Sequence, residues 1–332
     1  MSHENSSRKR SGVVRLALAS ALALGALALP ASAQVPARFY WKTLSGGNAV
    51  PVIVNSISGN TNPFDPAHAP SPDAEVDATL LLSGYAHTFT LFDRSAMAAL
   101  IVPMGRLSGE VSGTGGTAKQ AAAGFGDPMF EFDLNLVGPK AQKNIPDVLR
   151  YQPGFTIDLL ADLAVPIGEY NNTQSLNIGQ NRWYGRIGAP ILFQLGSWVP
   201  GRRTTIEFLP AVWFFGPNND YVGSTLKTDP MFQVDAHVTR DLAEHLWTSF
   251  DAAWYTGGKA SVDGVEGEKL NNLGLGFTLG YALNENLGLT VGYKSTVNDR
   301  APEDLRMDGF MVSLVYGWHP MIEGMKRLKS GD

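Results

Sequence analysis

The sequence predicts an all-β chain: a transmembrane, antiparallel, up-and-down β-barrel of about 12 strands, preceded by a cleaved signal peptide. Three observations predict it. Runs with a period of two recur along the chain, one face apolar and the other polar or glycine. Short and long connections alternate between those runs. The N-terminus has the marks of a secretory signal, and no 18-residue apolar window follows it.

The leader comes first. Arg8, Lys9, Arg10 and Arg15 form a basic start, and Leu16 to Leu29 is an apolar run of 14 residues. Ala31-Ser32-Ala33 then offers a small-x-small cleavage pattern. The run is short of the roughly 20 residues a spanning helix needs. The expected organisation is a signal peptide at 1–33, an N-terminal periplasmic segment at 34–47, a barrel at 48–318 and a C-terminal tail at 319–332. The chain has no cysteine, which excludes a disulfide scaffold, a cysteine-ligated metal and a lipid anchor on cysteine. Beyond residue 33 stand 22 Lys+Arg against 30 Asp+Glu, a formal charge of −8. That balance argues against nucleic acid as a partner.

Strands are predicted at 48–58, 78–92, 95–107, 123–137, 153–167, 181–196, 203–215, 229–240, 245–257, 270–284, 286–298 and 307–318. In the fourth, Phe130, Phe132, Leu134 and Leu136 share one face, and Asp127, Glu131, Asp133 and Asn135 share the other. The fifth sets Phe155, Ile157, Leu159, Leu163 and Val165 against Thr156, Asp158 and Asp162. In the eighth, Gln233, Asp235, His237 and Thr239 oppose Phe232, Val234, Ala236 and Val238. The tenth and eleventh put Gly274, Gly276, Thr278, Gly280, Thr290, Gly292 and Lys294 opposite an aromatic and aliphatic face. Each run has about the 9–11 residues that cross a bilayer at a tilt. A β-sandwich is the competing architecture, but its strands are shorter and its loops need not alternate in length.

Asp93 to Ser95, Gly196 to Arg202, Asp241 to Glu244 and Asn284 to Asn286 are the short connections. Long polar segments at 59–77, 108–122, 168–180, 216–228, 258–269 and 299–306 are the expected external loops. One periplasmic connection, about 138–152, is long for its place and has room for a short surface helix. Trp183, Tyr184, Trp213, Phe215, Trp247, Trp254, Tyr255, Tyr316 and Trp318 cluster toward strand ends, where an interfacial girdle is expected.

Gly124-Phe125-Gly126-Asp127-Pro128, Pro166-Ile167-Gly168-Glu169-Tyr170, Asn177-Ile178-Gly179-Gln180-Asn181-Arg182-Trp183 and Val291-Gly292-Tyr293-Lys294 stand in this order and spacing. On these motifs the chain, from about Val50 to Trp318, resembles the meta-pathway phenol-degradation family of outer-membrane transporters. The resemblance implies a barrel in the outer membrane of a Gram-negative bacterium, associated with aromatic catabolism. It implies no catalytic residues. The 14 residues from His319 to Asp332, after Trp318, depart from barrels that finish on an aromatic residue.

The side chains expected to line the lumen are Asp127, Glu131, Asp133, Asp158, Asp162, Arg186, Glu207, Asp235, His237, Asp251 and Lys294. An isolated buried charge is very costly, so these groups must be hydrated or paired. Two readings stay open: a plugged, salt-bridged interior and a polar conduit. An acidic lining disfavours anions and favours cations or neutral solutes. Pro128, Pro190 and Pro210 fall inside predicted strands, where each removes a ladder donor. Bulges account for that; the sharper expectation is a gate at Gly126, Asp127 and Pro128 that lets an apolar solute leave sideways into the membrane.

Enzyme motifs are missing: no Gly-x-Ser-x-Gly, His-Glu-x-x-His or Gly-x-x-x-x-Gly-Lys stands in the chain. No metal-ligand spacing joins the histidines, and no cofactor is expected. The function expected is a channel, not an enzyme, for small hydrophobic or aromatic solutes. The solute class comes from the resemblance alone. Expected partners are outer-membrane lipid, those solutes and the barrel-assembly machinery during biogenesis. The alternatives are an outer-membrane lipid hydrolase, with His87 and His237 as candidate bases, and a structural barrel without transport.

Overall fold

The computed structural model describes residues 36–71, 74–113, 116–300 and 304–330. The predicted signal peptide lies outside the described residues. Twelve staves close an antiparallel barrel. In chain order its strands are β1 (Asn48–Gly59), β2 (Glu75–Leu91), β3 (Arg94–Gly113), β4 (Gly116–Phe125), β5 (Met129–Val137), β6 (Phe155–Ala164), β7 (Tyr184–Gly188), β8 (Ile191–Gln194) and β9 (Thr204–Phe215). Two small external strands follow, β10 (Asn218–Tyr221) and β11 (Ser224–Thr228), then β12 (Met231–Asp241) and β13 (Leu246–Gly257). Strands β14 (Ala260–Val262) and β15 (Val265–Glu266) join β10 and β11 in a separate four-stranded sheet. The barrel ends with β16 (Leu270–Ala282), β17 (Leu287–Thr296) and β18 (Met307–Trp318), which pairs back onto β1. Closure leaves every stave with two neighbours, as the hydrocarbon core demands of backbone polar groups.

Two staves are interrupted. The fourth is β4 followed by β5, and the sixth is β7 followed by β8, broken at Ala189-Pro190. Side chains alternate as a membrane barrel requires. Val52, Val54, Phe130, Phe208, Phe250, Phe277 and Phe310 are exposed on the outer wall, while the residues between them are buried. Outward apolar side chains are solvated by lipid, so the pattern is inverted relative to a soluble protein.

The structure corrects two expectations about the wall. The segment 108–122 is not a loop: β3 runs to Gly113 and β4 returns from Gly116, pairing from Met104↔Phe125 up to Gly113↔Gly116. The aromatic residues also divide. Trp183, Trp254 and Tyr316 are exposed, but Tyr184, Trp213 and Tyr255 are buried inside the barrel and belong to no girdle.

The end of the barrel with the short turns, expected to face the periplasm, carries a small cap. The long connection after β5 contains helix α1 (Ile145–Arg150), started by Asn144, whose side chain accepts from the Asp147 amide. Helix α2 (Pro320–Ser330) follows β18 and is tied back through Lys326 to Glu285 at 2.6 Å. Ile322 of α2 packs with Leu44, and Ile145 and Val148 of α1 close over them. Of the expected periplasmic segment 34–47, residues 36–44 reach into the barrel from this end.

Candidate functional site

The candidate site is the barrel interior, and strand parity places its side chains. Asp127, Glu131, Asp133, Asp158, Asp162, Arg186, Glu207, Asp235, His237 and Asp251 are all buried, and Lys294 is partly buried on the inward face of β17. Seven of them form two groups. On β5 to β7, Glu131 stands opposite Asp162, and Asp162 opposite Arg186. The Arg186 Nε donates to Asp162 at 2.6 Å, and its guanidinium lies over the Trp213 ring. On β9 to β17 one row of cross-strand partners runs Glu207, His237, Asp251, Gly276, Lys294. His237 Nδ1 is 2.7 Å from Asp251, which also accepts from the hydroxyls of Ser249 and Thr278.

Three further cations enter this interior, Lys42 and Arg38 from ahead of the first strand and Arg203 from the residue just before β9. Lys42 bridges Asp133, at 2.7 Å, and Asp158. Arg38 donates to Asp241 at 2.7 Å and to the Thr239 hydroxyl at 3.2 Å, and stacks between Trp41 and Trp247. Arg203 takes the other Asp241 oxygen. The backbone amide of Arg38 and the Trp41 indole both donate to Glu207. Residues 36–44 are therefore a plug, bound into the lumen by the acids that face it. One signal for it stands in the sequence: Arg38-Phe39-Tyr40-Trp41-Lys42 is a basic, aromatic run next to an acidic barrel.

The external end is closed by loops. Arg182 holds both oxygens of Asp65 at 2.8 Å and donates to Thr228, with its guanidinium over Phe215. That pair ties the loop after β1 to the loop after β6. His68, in the first of these loops, is buried with its ring 5.6 Å from that of Tyr255. Burial, partly opposed by Asp65, holds its imidazole down to about 4 from an ordinary 6.5. Between plug and wall remains a small cavity of about 60 Å³ beside β16, β17, β18 and β1.

The interruption at Gly126-Asp127-Pro128 is a junction of three motifs. The Asp127 carboxylate accepts from the Gly168 amide on one oxygen and from the Gln180 amide on the other, both at 2.8 Å. The Glu169 amide donates to Phe125, and the Gly179 amide to Glu169. A Cβ on Gly168 would lie 2.5 Å from the Gly126 carbonyl carbon, and one on Gly179 would lie 2.6 Å from that of Gly168. Only glycine permits that stacking. On the β3 side the ladder breaks: pairing stops at Ile101↔Met129 and resumes at Met104↔Phe125. Gly126 alone bridges the gap, donating to Pro103 at 2.8 Å. On the β6 side the ladder continues, with Val165 donating to Pro128.

The two histidines considered as catalytic bases are far from serine chemistry. His87 is bound to Asn48 at 2.9 Å and His237 to Asp251. Ser249 donates to Asp251, so the carboxylate, not the imidazole, receives its proton. Among the described residues no serine hydroxyl donates to either histidine.

The family model described as "Putative MetA-pathway of phenol degradation" matches residues 45–314. No curated protein matches the chain in sequence. Among solved structures, an outer membrane channel from Pseudomonas putida F1 is similar, with 17% identity and a TM-score of 0.66 over 85% of this chain and 99% of that one. The translocator domain of the autotransporter NalP from Neisseria meningitidis aligns with 13% identity and a TM-score of 0.49, covering 81% of this chain and 88% of that one. At this identity the likeness to the Pseudomonas putida channel shows the fold.

Proposed function

Since the chain belongs to the family described as the MetA-pathway of phenol degradation, an outer-membrane β-barrel channel family, we propose that it passes small, mostly apolar or aromatic solutes without catalysing a reaction on them. The observation that carries this reading is the way the barrel is filled. A lumen of polar staves is occupied by a plug whose contacts are ion pairs and hydrogen bonds, with only a small cavity of about 60 Å³ beside it at β16 to β18. A lumen packed in this way disfavours strongly hydrated solutes, which must shed water to pass. Acids outnumber cations in the interior, so uncharged molecules meet the lowest barrier and anions the highest.

Two exits serve this reading. The plug leaves toward the periplasm, since its root at Leu44 sits under α1 and α2. The broken ladder at Gly126-Asp127-Pro128 is the lateral exit, latched by the Asp127 carboxylate on the loop after β6. Proteoliposomes loaded with an uncharged aromatic tracer test the proposal. Efflux is expected to exceed that from protein-free vesicles and to outpace efflux of a sugar of similar mass. Equal efflux of both, or none of either, rejects it.

A further inference from the structure

We propose that a groove on the outer wall, formed by β1 to β4 where they rise toward the long loops, seats the phosphorylated sugar head group of an outer-leaflet glycolipid, with Arg106 holding the phosphate. The groove has a volume of about 660 Å³, within the range of small-molecule sites. It lies on the lipid side of the wall, apart from the plug and the lumen. Ser58, Asp77, Arg106 and Ser108 are exposed, while Ile57 and Leu107 between them are buried. The inference rests on the barrel's place in the outer membrane and not on which solute passes through it.

Cross-strand pairing stacks three outward rows at this wall and sets their depth. The lowest is Val54, Leu81, Met104 and Phe125, all apolar. Above it stand Ser56, Thr79, Arg106 and Ala123, and above those Ser58, Asp77, Ser108 and Ala121. The change from an apolar row to hydroxyls and charge within one step marks the border of the hydrocarbon. A charge on the lipid face of a barrel costs little only near the interface, so Arg106 stands at head-group depth. Elsewhere the wall finishes differently. On β12 and β13 the outward side chains near the same end are Phe232 and Trp254, with ring centroids 5.8 Å apart, the aromatic belt expected of an interface. On β1 to β4 a recess floored by serine and alanine takes its place.

The order of groups up the wall chooses the occupant. A guanidinium meets a phosphate with two parallel N–H donors, and Arg106 is exposed within the groove. Lys119, farther up the hairpin of β3 and β4, is taken by Glu110 at 3.0 Å. One row above Arg106 the charges reverse: Asp77 lies across from Ser58, and Ser58 lies across from Asp308 of β18. Those carboxylates repel a second anion and accept from hydroxyls. A ligand that suits this wall therefore presents hydrocarbon at the bottom, one phosphate above it and sugar hydroxyls at the top. An acylated sugar phosphate has that order. Phosphatidylglycerol has the chains and the phosphate but only a short glycerol above them. A soluble sugar phosphate lacks the chains.

Native mass spectrometry of the full chain in detergent, titrated with monophosphoryl lipid A, the same lipid stripped of phosphate, phosphatidylglycerol or a free hexosamine phosphate, reads the site. Monophosphoryl lipid A is expected to bind about tenfold more tightly than the stripped lipid or phosphatidylglycerol, the ratio that one hydrogen-bonded contact to a charged group supports. The free hexosamine phosphate should not displace it. Arg106→Gln should remove the advantage over the stripped lipid, and Arg106→Lys should keep part of it. Ser108→Phe, which fills the groove and keeps the arginine, should weaken both forms of lipid A alike. Both positions are exposed on the outer wall, so these variants leave the core intact. Lys227→Gln, on the separate external sheet, should change nothing. An advantage that is missing in the wild type, or that survives Arg106→Gln, overturns the proposal, and so does unchanged binding in Ser108→Phe. Phosphatidylglycerol bound as tightly, with the same dependence on Arg106, overturns the sugar. Displacement by the free hexosamine phosphate overturns the lipid.

Discussion

The Lys42 ammonium lies 2.7 Å from the Asp133 carboxylate and also bridges Asp158, joining a residue ahead of the first strand to two staves on the far side of the chain. All three side chains are at least nine-tenths buried. Removing one partner of such a pair is costly, about 3–5 kcal/mol, because the other charges stay buried and uncompensated. In a barrel the strain has an outlet, since water can enter and the plug can leave. Lys42→Met is therefore expected to raise single-channel conductance several-fold and to shorten closed times. A conductance equal to wild type would mean that the plug is held by packing, not by charge.

The latch at the broken stave makes a second prediction. Asp127→Ala leaves the Gly168 and Gln180 amides without their acceptor, at a local cost of about 1–3 kcal/mol for each orphaned donor. Hydrogen exchange at those two amides should accelerate at least tenfold. The β12–β13 ladder on the other side of the barrel should be unaffected. Gly168→Ala should do the same by steric means, through the 2.5 Å approach to Gly126. Uniform acceleration around the barrel would show general destabilisation instead of a local latch.

Strand parity made the twelve staves legible, because a lipid-facing row such as Phe277, Leu279 and Tyr281 cannot tolerate a slip of one residue. It orients Asp158 and Asp162 inward for the same reason. What parity cannot read is anything that enters the interior from outside the strands. Arg38 and Lys42 pair with inward acids from the plug, and Arg182 pairs with Asp65 from one external loop to another. The inside and outside of an aromatic belt are equally hidden: Trp213 and Tyr255 lie near strand ends, yet each faces a buried polar partner, Gln233 for one and Lys294 for the other. The hairpin of β3 and β4 escaped notice because its alanine-rich return, Ala121-Ala122-Ala123, has too little hydropathy contrast to show a period of two.

External closure should depend on pH through His68. Its imidazole is held neutral by burial, at about 4 against an ordinary 6.5, with Asp65 opposing and Lys294 reinforcing that shift and the Tyr255 ring packed against it. A lowered value means that the open loop takes up a proton more readily than the closed one. The closed state is at full strength above pH 6.5 and weakens as the pH falls from about 6.5 toward 4, by roughly 3 kcal/mol in all. Proteolysis of the loop at 60–71 should accelerate across that window and no further below it. His68→Phe keeps a ring against Tyr255 and has no proton to gain, so its profile should be flat. A wild-type profile that is equally flat would exclude His68 as the titrating group.

The pair of Asp162 and Arg186 gives the most demanding test, because a single change and a double change should go in opposite directions. Arg186 donates to Asp162 at 2.6 Å, both side chains are buried, and Glu131 stands on the next strand with both oxygens lacking a hydrogen-bond partner. Arg186→Met therefore leaves the Asp162 carboxylate without its cation in a low-dielectric interior. It should lower the barrel's resistance to unfolding in urea by about 3–5 kcal/mol. Arg186→Met combined with Asp162→Leu removes the pair and replaces charge by volume beside Trp213. Replacing both partners of a buried pair by apolar residues is often neutral or stabilising, so the double variant should recover most of the loss. If it is as unstable as the single variant, the Arg186 guanidinium does more than neutralise Asp162, and its packing over Trp213 is part of the core.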